Sequence, residues 1–248
     1  MATRTRISLV GLKRPEYRRF VLFLDDGGVL SDNTLRRPQY VRMIGEFMPP
    51  KLGGTAEQWR SANMAIFPGV WTDIVKRLPE FGTHREFYRT YALSWMSRTC
   101  DLVGVALPQD AEAVALYTEL WVQMAAKATA AIDGAPDAVL ALHRAGYKLY
   151  TASGTPSAEL RGIVAKMGVA GTFTELYGPD VIDHVKYGPA FYERIFAHSG
   201  VDPARALVIE SDEECCAWAS EAGATAVWVD HDGRGDARTL AEVAQALI

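Results

Sequence analysis

The sequence predicts an α/β fold, a doubly wound parallel sheet that carries an inserted all-helical cap domain. Three observations predict it. An apolar run over residues 20–24 ends abruptly at acidic residues and glycines, which is typical of a buried parallel strand feeding a tight turn. From residue 132 onward, helical and strand patterns alternate, as they do in parallel βαβ units. Between these parts, residues 32–131 carry helical patterns without a strand signal.

The predicted division of the chain follows from these patterns. Residues 1–31 and 132–248 form the α/β core, and residues 32–131 form the helical cap. Ligands in open α/β sheets bind outside the carboxyl ends of the strands, and a cap inserted after the first strand lies over that edge. Such a cap closes over the crevice, excludes water and supplies contacts to the substrate.

Individual elements are predicted from breaking and capping residues. A weak strand over residues 7–12 ends before Pro15. A cap helix over residues 37–48 stops at two prolines, and Thr55 with Gln58 forms a capping box for the next helix. Further cap helices are predicted over residues 70–78, 84–98 and 110–130, core helices over 137–145, 156–167, 189–199, 213–222 and 237–247, and core strands over 148–152, 173–177, 206–209 and 226–229.

Composition excludes several classes of protein. The chain has 248 residues, 49% of them hydrophobic, and a net charge of -4, which gives no electrostatic reason to expect a nucleic-acid partner. No apolar run approaches the ~18 residues of a membrane span. Three cysteines are an odd count, and Cys215 and Cys216 are neighbours, so a reduced cytoplasmic protein is expected. A small-molecule substrate and a monomeric or homodimeric state are predicted.

The stretch RFVLFLDDGGVLSDN, residues 19–33, organises the candidate site. Asp25 comes directly after the apolar run, so it lies at the carboxyl tip of a strand and faces the ligand crevice. This stretch resembles the first motif of the haloacid dehalogenase (HAD) superfamily, an apolar strand followed by DxDG[TV][LI]. The resemblance implies a helical cap and makes Asp25 the nucleophile. Gly27 stands where phosphatases of the family carry a second Asp as general acid/base.

Two further motifs of the resemblance supply polar partners for the nucleophile. The second motif implies that Ser153, in KLYTASGTP, holds an anionic group, although this residue could instead cap the following helix. The third motif implies that Lys186, in KYGPAFYERI, offsets the charge of the nucleophile and of a bound anion. Gly154, Gly28 and Arg36 are the remaining candidate contacts to an anionic substrate.

The fourth motif, in LVIESDEECC, departs from the family pattern. The resemblance places Glu210 at the first acid, but Ser211 stands where the metal-binding Asp is usual, and Asp212 follows one position later. The candidate Mg²⁺ set is therefore Asp25, Gly27, Glu210 and Asp212. Because Mg²⁺ demands near-ideal octahedral geometry, a carboxylate displaced by one residue requires either a rearranged turn or a weakened metal site.

Three hypotheses about function follow from the resemblance and its departures. The first is a hydrolase in which Asp25 attacks a small anionic substrate, a phosphate ester, through a covalent aspartyl intermediate. The second is metal-independent cleavage of a carbon–halogen or carbon–phosphorus bond, since dehalogenases and phosphonatases of the family lack the second Asp. The third is a catalytically weakened binding or regulatory protein that retains the crevice.

Overall fold

The computed structural model describes residue 7 and residues 9–248. In this part of the chain, five parallel strands form one sheet in the order β3-β2-β1-β4-β5. The strands are β1 (Val21–Leu24), β2 (Lys148–Ala152), β3 (Phe173–Tyr177), β4 (Ala206–Glu210) and β5 (Thr225–Trp228).

Helices pack on both faces of the sheet, and within the described residues the segment between β1 and β2 contains helices, turns and loops but no strand of the sheet. They are α1 (Leu9–Leu12), α2 (Asn33–Phe47), α3 (Pro49–Leu52), α4 (Ala56–Val75), α5 (His84–Val103), α6 (Asp110–Lys127), α7 (Ala135–Arg144), α8 (Ser157–Lys166), α9 (Pro189–Ser199), α10 (Glu213–Glu221) and α11 (Leu240–Leu247). Short 3-10 turns cover Pro15–Arg19, Leu78–Glu80, Ala170–Thr172 and Pro203–Arg205.

The order of the strands brings three strand ends together. Strand β1 lies at the centre, with Leu24 opposite Thr151 of β2 and Ile209 of β4. The chain adds β2 and β3 on one side of β1 and then crosses to add β4 and β5 on the other side, so a crevice forms at the carboxyl ends of β2, β1 and β4. The loops that follow β1, β2 and β4 therefore meet at this crevice.

Buried side chains form three clusters. Two of them cover the two faces of the sheet, one centred on Leu22 and Leu24 and the other on Phe23. The third lies within residues 43–128, between β1 and β2, and Trp59 and Trp95 are fully buried in it. This segment thus has a hydrophobic core of its own, as a cap requires, and the residue boundaries of the two domains remain a prediction.

Most predicted elements are confirmed in type, although α5 ends at Val103 instead of residue 98 and α11 begins at Leu240 instead of residue 237. Larger differences occur in three places. The strand predicted over residues 7–12 is wrong, because Leu9–Leu12 forms a helical turn against α11 that buries Leu12; Ser8 lies outside the described residues. Helix α2 begins four residues earlier than predicted, since Asp32 accepts hydrogen bonds from the first free backbone N–H groups.

The third difference is in the cap. The helix predicted to begin after Thr55 and the helix predicted over residues 70–78 form one continuous helix, α4. The capping box of Thr55 and Gln58 is confirmed at the start of α4. The helix then continues through Pro68 to Val75, because Val70 and Ile74 are buried in the cap cluster and hold the second half in line. Within the described residues, no helix is long and apolar enough to cross a membrane, and the three cysteines are free.

Candidate active site

Asp25 lies at the centre of the candidate site. It follows β1 directly, and its backbone N–H donates to the carbonyl of Ile209 at 2.9 Å, which extends the ladder with β4 by one residue. Its carboxylate accepts a hydrogen bond from the amine of Lys186 at 2.8 Å. The residue is only 7% exposed, so the carboxylate is held in a fixed position with little access for water.

Lys186, in the loop before α9, links the three strand ends. Its amine donates to Asp25, to the carbonyl of Ala152 at the end of β2 (3.1 Å) and to Glu210 at the end of β4 (2.8 Å). Burial alone would lower the pKa of this amine, but the carboxylates of Asp25 and Glu210 together raise it above its ordinary value. Lys186 is therefore a permanent cation, as the third motif implies.

Glu210 is fully buried beneath this lysine. Its Oε1 accepts from the hydroxyl of Tyr192 at 2.7 Å as well as from Lys186, whereas its Oε2 has no hydrogen-bond partner among the described residues. Burial, with the nearby charge of Asp25, raises the pKa of Glu210 despite the contact with Lys186. Tyr192 lies in the stretch KYGPAFYERI that carries Lys186, but the sequence predicts no role for it in the site.

The loop after β2 brings Ser153 and Gly154 to the same edge. Ser153 is 2% exposed, and its Oγ accepts from the backbone N–H of Thr155 at 3.1 Å. A β-carbon on Gly154 would lie 3.6 Å from Cδ of Lys186, so this loop packs against the lysine stem. The first N–H of α8 is capped by Asp180 at 2.7 Å, so the alternative in which Ser153 caps this helix is wrong.

Ser211 closes the site on the side of β4. Its hydroxyl donates to the carbonyl of Gly27 at 2.6 Å and lies 3.5 Å from Oδ2 of Asp25. The turn that carries Gly27 packs tightly here: Gly28 has a φ of +81°, and a β-carbon on it would lie 2.6 Å from Cβ of Ser211. Gly28 is therefore needed for the shape of the turn, which is a structural rather than a substrate-binding reason for a glycine.

The predicted magnesium set is not assembled by these residues. Asp25 and the carbonyl of Gly27 converge on the hydroxyl of Ser211, but Asp212 is exposed and caps α10, accepting from the N–H groups of Glu214 (2.7 Å) and Cys215 (3.4 Å). This corrects the prediction that Asp212 is a ligand, because the free amides of a helix terminus compete for its carboxylate.

The remaining predicted ligand, Glu210, gives one oxygen to Lys186 and Tyr192. Within the described part of the chain, no group of three or more His, Cys, Asp or Glu side chains could hold a metal ion. The side chains present therefore do not fit the four-member Mg²⁺ site that the fourth motif implies.

A model of the haloacid dehalogenase-like hydrolase family matches residues 22–223 of this chain. The chain belongs to that family. The match spans β1 to α10 and so includes every strand end described above. No protein among the curated sequences matches the chain.

Solved structures of HAD-like hydrolases share the fold at low sequence identity. The L-2-haloacid dehalogenase from Xanthobacter autotrophicus is 18% identical, with a TM-score of 0.57 over 84% of this chain and 76% of that one. The putative HAD-hydrolase YfnB from Bacillus subtilis, bound to magnesium, is 15% identical, with a TM-score of 0.63 over 87% and 91%. A HAD phosphatase from Thermococcus onnurineus is 20% identical, with a TM-score of 0.58 over 92% and 97%. These neighbours include dehalogenases and phosphatases, so they support the HAD fold and leave the substrate class open.

Arg36 in this HAD-like hydrolase has a different role from the predicted one. Its guanidinium donates to Oδ2 of Asp26 at 2.6 Å and to the side-chain oxygen of Asn33. Asp26 is fully buried and also accepts from the hydroxyls of Ser31 (2.6 Å) and Thr155 (3.3 Å). The prediction of Arg36 as a clamp for a substrate anion is therefore corrected: it neutralises Asp26, because a buried carboxylate requires a paired cation.

Two polar residues near the site were missed in the sequence. A β-carbon on Gly27 would lie 2.9 Å from Nδ2 of Asn33, so this amide fills the space that a side chain at position 27 would need. Glu159 of α8 is 8% exposed and lines a cavity under the cap. Glu159 lies outside every motif, whereas Asn33 ends the quoted stretch of residues 19–33 but has no role in the predicted site.

Proposed function

We propose that this protein is a hydrolase in which Asp25 attacks a small anionic substrate and forms a covalent intermediate. The observation that carries the proposal is the ion pair of 2.8 Å between Lys186 and Asp25 at the carboxyl edge of the sheet. An adjacent cation offsets the negative charge of the nucleophile and of an approaching anion. Ser153, in the neighbouring loop, supplies a hydroxyl on the same edge.

The substrate class that the geometry supports best is an acid with a halogen on the neighbouring carbon. Hydrolysis of a phosphate ester by Asp25 requires a proton for the leaving alkoxide and enough positive charge to bring two anions together. Gly27 has no carboxyl group to give that proton, and one cation, Lys186, is shared between Asp25 and Glu210. A halide ion leaves without a proton, so its displacement needs no acid at position 27, and the substrate carboxylate is the only further anion that Lys186 has to offset.

The proposed reaction has two steps. In the first step, an oxygen of Asp25 attacks the carbon that bears the halogen. The carbon–halogen bond breaks, the halide departs with the electron pair, and the organic group remains bound to Asp25 as an ester. In the second, water attacks the acyl carbon of this ester. The 2-hydroxy acid departs with an oxygen that came from Asp25, the oxygen of water remains in the carboxylate, and one proton is released.

The experiment measures halide release from 2-chloropropionate in the presence of EDTA. We expect turnover by the wild type, loss of activity by up to about 10⁶-fold in Asp25→Asn, and wild-type activity in Asp202→Asn. Asp202 is an exposed aspartate at the opposite edge of the sheet, before β4, and so provides the matched control. In heavy-oxygen water, a single turnover should place the label in the peptide that contains Asp25.

Phosphate-ester hydrolysis by the same nucleophile is the second candidate. Oδ2 of Asp25 and the carbonyl oxygen of Gly27 both face the hydroxyl of Ser211. Two oxygen atoms arranged in this way are part of what a Mg²⁺ ion needs, and this observation favours the second candidate. Release of phosphate from a panel of phosphate monoesters that requires added Mg²⁺ and Asp25, without halide release from haloacids, would reverse the order of the two candidates. Full activity of Asp25→Asn on both panels would remove both, and no turnover on either would favour a binding protein.

A further inference from the structure

A cavity of about 600 Å³ lies between the cap helices and the first turn of α8. Three aromatic side chains form much of its wall: Tyr40 of α2, Phe67 of α4 and Trp121 of α6. Tyr40 and Trp121 meet edge to face, with their ring centroids 5.5 Å apart. Apolar walls of this size bury a ring-sized group of a small molecule.

The cavity adjoins the candidate site through two residues. Asn33 lines the cavity and packs against Gly27, while Thr155 lines it and donates its N–H to Oγ of Ser153. A molecule whose reacting end lies at Asp25 can therefore place its other end in this cavity. Binding of a molecule in this cavity does not depend on the proposed function. Only the description of that molecule as a substrate rests on it.

Glu159 is the unusual member of the cavity wall. Only 8% of the residue is exposed, and it lines the cavity wall from the first turn of α8. The nearby cation Arg36 is already paired with Asp26 at 2.6 Å. Burial raises the pKa of Glu159 to about 8 against the opposing charge of Arg36. Because so little of this side chain reaches water, a ligand that supplies a hydrogen-bond partner to its carboxyl group gains affinity.

Charge narrows the chemistry of that ligand. Arg36 and Arg37 both line the cavity, so a cationic group is disfavoured there. A neutral group that both donates and accepts, as a carboxamide does, matches a protonated carboxyl group on both of its oxygens. An anionic group would instead seek Arg37, which is exposed and lies with its guanidinium carbon 5.6 Å from the centroid of the Phe67 ring.

We propose that this cavity selects substrates whose apolar, ring-sized body carries a neutral hydrogen-bonding group, an amide or its equivalent, which pairs with Glu159. Glu159 acts here as a specificity residue. It takes no part in bond breaking at Asp25, and its loss changes which molecules bind rather than whether Asp25 can react.

The test measures binding of three matched probes, benzamide, benzoate and benzylamine, by calorimetry at neutral pH. The protein is the full-length Asp25→Asn variant, so the result does not depend on turnover or on the role of Asp25. We expect benzamide to bind best, with intermolecular NOEs to Trp121 locating it in the cavity. Failure of this experiment would leave the nucleophile proposal untouched, and failure of the Asp25 experiment would leave this one interpretable.

Two variants of Glu159 decide the role of its carboxyl group. Glu159→Leu should weaken benzamide by about fivefold to tenfold, the value of one or two hydrogen bonds, with little change for benzylamine. Glu159→Gln keeps a donor and an acceptor and should retain the preference for benzamide. Glu112→Leu, at an exposed acid of α6, controls for net charge. Preferred binding of benzoate or benzylamine, or equal benzamide affinity in Glu159→Leu and Glu159→Gln, would overturn the proposal.

Discussion

The side-chain amide of Asn33 fills the space beside the α-carbon of Gly27, where a β-carbon would lie 2.9 Å from Nδ2. Asn33 is in turn held by Arg36, which donates to its side-chain oxygen. The absence of a carboxylate at position 27 is thus matched by a neighbour that uses the vacated space. An acid placed at position 27 must displace this amide.

The first prediction concerns that pair. Gly27→Asp should displace the amide of Asn33, break its hydrogen bond with Arg36 and lower the free energy of unfolding by about 1 kcal/mol. In the background of Asn33→Ala, the same substitution should cost less, because the space is already empty. Urea denaturation of the four proteins in a double-mutant cycle measures the difference. Equal costs in the two backgrounds would show that the two side chains do not compete.

The second prediction concerns Gly28. Its φ of +81° disfavours any other residue, and an added β-carbon would lie 2.6 Å from Cβ of Ser211. Gly28→Ala should destabilise the fold by the strain of the left-handed backbone, about 1 to 2 kcal/mol, and by an overpacking cost of similar size. Gly104→Ala is the matched control, since Gly104 has a φ of +78° and open space around it.

Thermal or urea denaturation measures the free energy of unfolding of Gly28→Ala and Gly104→Ala. Gly104→Ala should show the backbone cost alone. Adding Ser211→Gly to Gly28→Ala should recover the overpacking part, because the atom in the way is removed. Loss of the same stability in Gly28→Ala and Gly104→Ala would contradict the close contact with Ser211.

The third prediction tests the role of Asp212. As the cap of α10, this residue should tolerate Asp212→Asn, whereas Asp212→Ala should cost about 1 kcal/mol of stability. Added Mg²⁺ should have the same effect on the melting temperatures of the wild type, Asp212→Asn and Asp212→Ala. A stabilisation by Mg²⁺ that disappears in Asp212→Asn would instead identify this carboxylate as a metal ligand.

The fourth prediction concerns the pH dependence of stability. Burial, opposed by Arg36 and reinforced by Asp26 and Asp180, raises the pKa of Glu159 from 4.5 to about 8. Such a group binds more protons in the folded state than in the unfolded state. Its contribution to stability is therefore fully present below pH 4.5 and is lost as the pH rises through about 8.

Urea denaturation across that pH range measures the effect. In Glu159→Gln, the free energy of unfolding should fall less steeply with pH than in the wild type, by up to about 1.4 kcal/mol for each unit of the pKa shift. Glu112→Gln, at an exposed position, should follow the wild type. Parallel curves for Glu159→Gln and the wild type would show that Glu159 titrates alike in both states.

The sequence by itself determined the α/β class, most strand and core-helix positions, and the strand end that carries Asp25. These follow from local signals: hydrophobic runs, caps such as Thr55, and a motif in which Lys186 keeps its usual spacing. Local signals suffice there because hydrophobic periodicity and helix capping are patterns among neighbouring residues in the chain.

Tertiary structure alone decided how the polar side chains pair. Asp212 caps a helix, Arg36 neutralises Asp26, and Asn33 fills the space beside Gly27, and each outcome depends on which groups compete for one oxygen or one space. Glu159 became visible only when α8 met the cap, because the burial of a carboxyl group is created by packing between segments distant in sequence.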